Sequence, residues 1–171
     1  PDDGVIVFLH LGAKRTILTV FGRLDVFFSR DLPIGGYHFT EELMKNYGLD
    51  YPEAEQVKKT QGMNPNLEKK LSSEGGGLGL AEKSTLEKLG DEINRSLRYY
   101  VKETGQSVFT HIVLTGGGAS LIGLDTYLSN KFNLPIELYN PFNALDVRVP
   151  VDTDNPYQMA AAVGLAIRGD L

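Results

Sequence analysis

Val113-Leu114-Thr115-Gly116-Gly117-Gly118-Ala119-Ser120-Leu121-Ile122-Gly123-Leu124 carries the transition on which the fold turns. Ile112 to Leu114 is a short apolar run that predicts a buried strand. Three consecutive glycines break it, and Leu121, Leu124, Leu128 and Phe132 follow at helical spacing. Strand, glycine turn, helix is a layout in which main-chain N–H groups can face a phosphate or a nucleoside. Glycine has no Cβ, so a ligand can approach the main chain closely. The same glycines also fit a tight connection that only lets strand and helix pack.

Downstream, Leu134-Pro135-Ile136-Glu137-Leu138 predicts a short strand with Pro135 at its start. Residues 140–151 are turn-rich. Tyr157 to Arg168 predicts an alanine-rich helix whose small residues, Gly164 among them, let it lie against a sheet or a neighbouring helix. Upstream, a long helix is expected from Ser84 to Thr104, with Leu86, Leu89, Ile93, Leu97 and Val101 on one face. Glu92, Arg95, Ser96 and Tyr99 share a neighbouring flank, which on an isolated helix reads first as a solvated face with a weak ion pair. Gly75-Gly76-Gly77 and Gly79, within Leu71 to Leu80, predict a hinge or loop.

The first part of the chain is β-rich. Gly4 to Leu11, nearly continuous in apolar residues, predicts a strand covered on both faces. Thr16 to Phe21 and Val26 to Arg30 follow across the turns Gly12-Ala13-Lys14-Arg15 and Gly22-Arg23-Leu24-Asp25, which implies an antiparallel meander. A helix is expected from Thr40 as N-cap to a stop at Gly48, with Phe39 and Met44 as a staple. A second runs from Asp50, with Pro52 and Glu53 in its first turn, to just before Gly62. Both are short and charged on one side, and they read as a peripheral insertion.

The length of 171 residues suits one domain with a small inserted subdomain. A net charge of −5 argues against a nucleic-acid binder, because a phosphate-tracking surface needs clustered Lys and Arg. With no cysteine there is neither a disulfide framework nor a thiolate metal site. The apolar-rich run Tyr157 to Ile167 is far shorter than the roughly 20 residues of a spanning helix, and Pro1-Asp2-Asp3-Gly4 is unlike a signal peptide. The start without methionine, almost directly on a strand, is expected of a piece of a larger protein or a processed chain.

Several chemistries fail on residue type. Gly118-Ala119-Ser120-Leu121-Ile122 lacks the last glycine of a nucleophile elbow. His10, His38 and His111 follow no metal-ligand spacing. From Gly116 and Gly118 the third glycine of a Rossmann fingerprint falls on Leu121, and no Gly-Lys-Ser/Thr completes a P-loop.

One family accommodates the rest. Leu9-His10-Leu11-Gly12-Ala13-Lys14-Arg15-Thr16 resembles the second phosphate motif of the actin-like superfamily, Asp-x-Gly-x-x-x-Thr between two strands. Leu114 to Leu121 resembles the adenosine motif, and Tyr157 to Gly169 the final helix beside it. Within that superfamily, Ser29-Arg30-Asp31-Leu32-Pro33-Ile34-Gly35-Gly36, Glu92-Ile93-Asn94-Arg95-Ser96-Leu97, Gly116 to Gly123, Pro135 with Glu137, and Asn140-Pro141-Phe142 resemble the PilM family of type IV pilus assembly proteins.

The resemblance implies an α/β, RNase H-like fold, the second lobe of an actin-like ATPase: a mixed sheet with three antiparallel N-terminal strands, flanked by helices. Residues 1–36 and 80–171 would form the large subdomain and 37–79 the small inserted helical one. It further implies a nucleotide pocket for ATP or ADP with Mg²⁺, weakly held in this fragment. Gly116, Gly117 and Gly118 would pass under the α-phosphate and ribose, Glu92 and Arg95 would face the ribose and adenine, and Gly12, Ala13 and Thr16 would serve the β- and γ-phosphates. The implied partner is an inner-membrane protein of the PilN type, whose groove lies largely in the absent first half, with homo-oligomers also open. Cytoplasmic placement, peripheral at the inner membrane through partners and without direct insertion, follows from the same resemblance.

His10 stands where the superfamily carries the aspartate that organises Mg²⁺ and the attacking water. Neutral imidazole does not replace a carboxylate on a hard cation, and phosphoryl transfer depends on that positioning. The expectation is therefore a scaffold with little or no hydrolysis, His10 being a buried structural residue on the plainer reading. The competing readings are an active ATPase of the FtsA kind or a sugar-kinase-type phosphotransferase half, and an interaction module with a vestigial pocket.

Overall fold

The computed structural model describes residues 4–22, 27–64, 83–146, 151 and 153–169. The three N-terminal strands are β1 (Val5–Leu11), β2 (Thr16–Phe21) and β3 (Phe28–Leu32), and they pair antiparallel in that order. Two more strands, β4 (Phe109–Thr115) and β5 (Ile136–Leu138), continue the sheet in parallel on the other side of β1. The five-stranded order is β3-β2-β1-β4-β5. A parallel β1–β4 pair needs a long crossover, and that crossover carries three helices: α1 (Gly36–Tyr47), α2 (Tyr51–Gln61) and α3 (Thr85–Thr104).

The core follows from alternation in the strands and from one apolar face of α3. Val5, Val7, Leu9 and Leu11 of β1, Leu18 and Val20 of β2, and Ile112 and Leu114 of β4 are buried with Leu89, Ile93, Leu97 and Tyr100 of α3. The other side of β1 is only half-buried at Ile6, Phe8 and His10, with Phe21 edge-on to Phe8 at 5.3 Å. Full cover on both faces, expected from the apolar run, is not what the described residues supply. A second small core, Leu43, Tyr47 and Ala54, joins α1 to α2.

Locally encoded ends fall where the sequence puts them. The Ser84 hydroxyl accepts from the Glu87 N–H at 3.2 Å and the Glu87 carboxylate accepts from the Ser84 N–H at 2.8 Å, a reciprocal cap. Asp50 and Glu53 do the same for α2. α1, by contrast, starts at Gly36 rather than after Thr40. The Gly12 and Ala13 carbonyls accept its first N–H groups, from Gly36 at 2.9 Å and Tyr37 at 2.7 Å, so a turn far up the chain begins the helix. Strand β3 lies two residues later than expected, because Leu32 pairs with Thr16 and is buried.

After β4 the chain makes a 3₁₀ turn at Gly117–Ser120 before α4 (Leu124–Phe132), which therefore starts after Leu121. The expected Tyr157–Arg168 helix is broken into a 3₁₀ turn at Pro156–Met159, α5 (Ala160–Ala166) and a last 3₁₀ turn at Ile167–Gly169. None of the α5 residues is buried, so its small side chains are not packed against the sheet. The Leu71–Leu80 hinge and the 79/80 boundary lie outside the described residues.

Asp91 ties α3 to α4. Its carboxylate accepts from Lys83 at 2.6 Å and from Lys131 at 2.9 Å, and these bonds hold its pKa down to about 2. A depressed carboxyl contributes stability above its unfolded pKa of about 3.9 and loses it as pH falls through the folded value. Asp91→Asn should therefore melt below the unaltered chain at pH 7, with the gap closing as pH is lowered toward 2 and shrinking in 1 M salt. Melting curves over that pH range check it; a gap that persists at pH 2 would rule out the ionic clamp.

Candidate functional site

Three segments meet at the ends of β1 and β4 around a cleft of about 870 Å³. One part of the lining is the β1–β2 turn with Leu11, Gly12, Ala13 and Lys14; a second is the Gly117–Leu121 stretch with Thr153, Asp154, Asn155 and Gln158. The third comes from α1 and α2, through Tyr37, Tyr51, Glu55, Lys58 and Lys59. Lys14, Lys58 and Lys59 outnumber Glu55 and Asp154, so the rim is net positive in a chain of net charge −5.

Lys58 and Glu55 are the organised charges. The Lys58 ammonium donates to the Gly36 carbonyl at 3.1 Å, to the Thr40 hydroxyl at 2.8 Å and to Glu55 at 2.5 Å, and Thr40 also donates to Glu55. Burial pushes the Glu55 carboxyl up, but the hydrogen bonds from Lys58 and Thr40 and the charges of Lys58 and Lys59 outweigh it and hold it below the usual range. Thr40 and Lys58 both reach the carboxylate at Oε1, and an ionised carboxylate has a second oxygen that can accept from a hydroxyl. At the rim the Tyr37 and Tyr51 rings lie 6.2 Å apart. The negative charge of Glu41 raises the Tyr37 pKa, with burial and a hydrogen bond to Glu41 adding to it.

The glycine run divides by position. A Cβ on Gly116, at φ 88° and ψ 166°, would lie 2.5 Å from the Leu11 carbonyl oxygen. Its N–H donates to the Tyr157 carbonyl at 2.8 Å, and it does not line the cleft. Gly118 lines the cleft but backs onto the Leu11 side chain, 2.3 Å from a built Cβ. At Gly117 a Cβ finds only Gln158 at 3.8 Å, and the space above it belongs to the cleft.

The structure brings Gly12, Ala13, Gly117 and Gly118 together and leaves Thr16, Gly116, Glu92 and Arg95 outside the lining. The Thr16 hydroxyl is buried and donates to the Ile34 carbonyl at 2.7 Å, so it is committed to the main chain and not to a phosphate. The Gly12 N–H is likewise taken by the Arg15 carbonyl at 2.9 Å. Glu92 and Arg95 pair with each other at 2.8 Å on α3, which contributes no wall residue. His10, half-buried on the opposite sheet face from Leu9 and Leu11, does not line the cleft. Glu55 and Lys58, which do, escaped the sequence reading; the available signal was a carboxylate and an amine at i, i+3 beside Ala54. Asn155 and Gln158 carried no signal at all.

The described residues hold no group of three or more His, Cys, Asp or Glu able to bind a metal ion. No helix among them is long and apolar enough to cross a membrane.

A family model described as type IV pilus assembly protein PilM matches residues 2–170. Among solved structures, the chain is similar to a PilM-PilN type IV pilus biogenesis complex, at 27% identity and a TM-score of 0.70, over 98% of this chain and 46% of that one. It is similar in fold to MreB5 of Spiroplasma citri bound to ADP, at 19% identity and a TM-score of 0.58, over 96% of this chain and 53% of that one. Ta0583, an archaeal actin homolog in complex with ADP, matches at 18% identity and a TM-score of 0.57, over 98% and 50%. The chain thus spans about half the length of the proteins it matches.

Proposed function

The chain belongs to the PilM family of type IV pilus assembly proteins and has the RNase H-like fold of an actin-like lobe, and on that premise we propose that its cleft is one wall of a nucleotide site serving pilus assembly. The observation that carries this is the convergence of the Gly12–Lys14 turn, the Gly117 backbone and the Glu55–Lys58 pair on one net-positive cleft. Lys14, Lys58 and Lys59 supply positive charge for a di- or triphosphate, Glu55 accepts from sugar hydroxyls, and Gly117 gives the ligand close access to the main chain. On this reading ATP or ADP, with Mg²⁺ carried on its phosphates, is held by Gly12, Ala13, Gly117 and Gly118 together with Glu55 and Lys58. Residues 1–36 and 80–171 then act as the large subdomain, and 37–79, with the α1–α2 core, as the inserted one.

Hydrolysis is slow or absent, because His10 occupies the aspartate position of the phosphate motif and offers no anionic oxygen. The role is that of a scaffold, bound to an inner-membrane protein of the PilN type and placed at the cytoplasmic side of the membrane by it. The complex solved for the similar PilM supports that partner class.

Calorimetric titration of the intact protein with ADP and ATP, beside inorganic phosphate at equal ionic strength, tests the reading. Saturable heat with the nucleotides, and no steady phosphate release from ATP, is the expected result. No heat with either nucleotide would sink the site, and steady release would sink the scaffold. Lys58→Met should weaken ADP about tenfold: the three ammonium donors are spent on Gly36, Thr40 and Glu55, so the loss is that of its positive charge at the cleft and of the hold it keeps on Glu55; unchanged affinity would remove Lys58 from the site.

A further inference from the structure

Two stretches far apart in sequence line the cleft together: the glycine turn after β4 and residues 153–158 ahead of α5. They are tied at two levels. At the base, the Tyr157 carbonyl accepts from the Gly116 N–H at 2.8 Å and from the Thr115 hydroxyl at 3.1 Å. Higher up, one side chain makes the link. Asn155 Nδ2 donates to the Gly117 carbonyl at 3.0 Å and to the Ser120 hydroxyl at 2.9 Å.

The orientation of that amide is forced. A carbonyl only accepts, so Asn155 must turn Nδ2 toward Gly117. Its Oδ1 then falls where it is buried and has no partner among the described residues. A buried acceptor opposes folding unless a donor meets it, and none of the described residues supplies one here.

We infer that Asn155 is a positioning residue of the nucleotide site, whose carboxamide sets the tilt of the Gly117–Gly118 peptide and through it the affinity for a nucleoside di- or triphosphate. The peptide is planar and trans, so pinning the Gly117 carbonyl also aims the Gly118 N–H the opposite way. A site of this kind works only when its main-chain groups are held to within about 0.5 Å. Glycines resist such definition by themselves, because their backbone is the least restrained. The inference rests on the nucleotide reading of the cleft.

The test is ADP titration of the intact protein, unaltered and as Asn155→Ala and Asn155→Asp, with the melting temperature of each measured without ligand. Asn155→Ala removes the two donor bonds and the orphaned acceptor together. Its ADP affinity should fall about tenfold while its melting temperature stays within about 2 °C. Asn155→Asp keeps the shape but sets a carboxylate against the Gly117 carbonyl, and should lose at least as much affinity. ADP binding unchanged in Asn155→Ala overturns the inference and leaves the nucleotide site standing. Affinity and melting temperature falling in step also overturn it, since Asn155 is then only a brace. No ADP binding to the unaltered protein overturns both.

Discussion

Gly117→Val is expected to weaken ADP binding about a hundredfold or more and to leave the fold in place. Of the three consecutive glycines, Gly117 is the one where a side chain has somewhere to go, and the space it enters is the cleft. A Cβ there meets only Gln158, at an ordinary contact distance of 3.8 Å, so the backbone need not move. The cost to the fold is the modest one of a β-branched residue in a short helical turn, under about 1 kcal/mol. The cost to a ligand is large, because the branched methyls fill the place where a nucleotide would approach the main chain. A loss of affinity of about a hundredfold or more, near 2.7 kcal/mol, is expected, with a melting temperature shifted by no more than about 2–4 °C. Calorimetry with ADP and a thermal melt on the same sample decide it. Wild-type affinity in Gly117→Val would take Gly117, and with it the glycine turn, out of the ligand site.

Its neighbour should behave in the opposite way. Gly116→Val destabilises the protein severely whether or not nucleotide is present. Gly116 sits at φ 88° and ψ 166°, a region essentially closed to residues with a side chain, where occupancy costs roughly 1–3 kcal/mol. The added Cβ would also lie 2.5 Å from the Leu11 carbonyl oxygen and 2.9 Å from the Leu11 nitrogen. Those are backbone atoms of the central strand, so they cannot swing aside as a flexible side chain would. Strain of this second kind typically adds another 1–3 kcal/mol or so. The sum is a large fraction of the 5–15 kcal/mol or so that holds a domain together, and a drop in melting temperature of about 10 °C or more follows. Urea unfolding checks it directly. A midpoint within error of the unaltered chain would mean that the strand–turn junction is looser than its geometry shows.

The pair of variants separates two meanings of one motif. Read as letters, Gly116-Gly117-Gly118 is uniform, and both a ligand-binding turn and a packing turn fit it. In the fold, Gly116 and Gly118 are glycines because Leu11 is behind them, through its backbone in one case and its side chain in the other. Gly117 is the glycine with open space in front of it. The packing reading holds at Gly116 and Gly118, and the open space that a binding reading needs lies at Gly117.

A similar division runs through the charged pairs. Glu92 with Arg95 and Glu55 with Lys58 are each a carboxylate and a cation three residues apart on a helix, and each closes an ion pair, at 2.8 and 2.5 Å. Nothing in their spacing says which pair faces a ligand. The packing of α2 against α1 puts Glu55 and Lys58 on the cleft, whereas α3 spends its apolar face on the sheet core and turns Arg95 out to solvent.

What the sequence determined by itself is whatever depends on neighbours along the chain. Strand alternation and turn residues specified the antiparallel meander. The Ser84–Glu87 and Asp50–Glu53 boxes specified the starts of α3 and α2, since both partners of each cap lie within one helical turn. Motif order pointed to the family. What only the tertiary structure decided is whatever depends on a partner far away in the chain. The start of α1 comes from the Gly12 and Ala13 carbonyls, the cleft charges from α2 packing on α1, and the Gly117 clamp from Asn155. A hydrogen bond across many residues leaves no periodicity in the sequence, because its geometry exists only after the sheet has brought the two segments together.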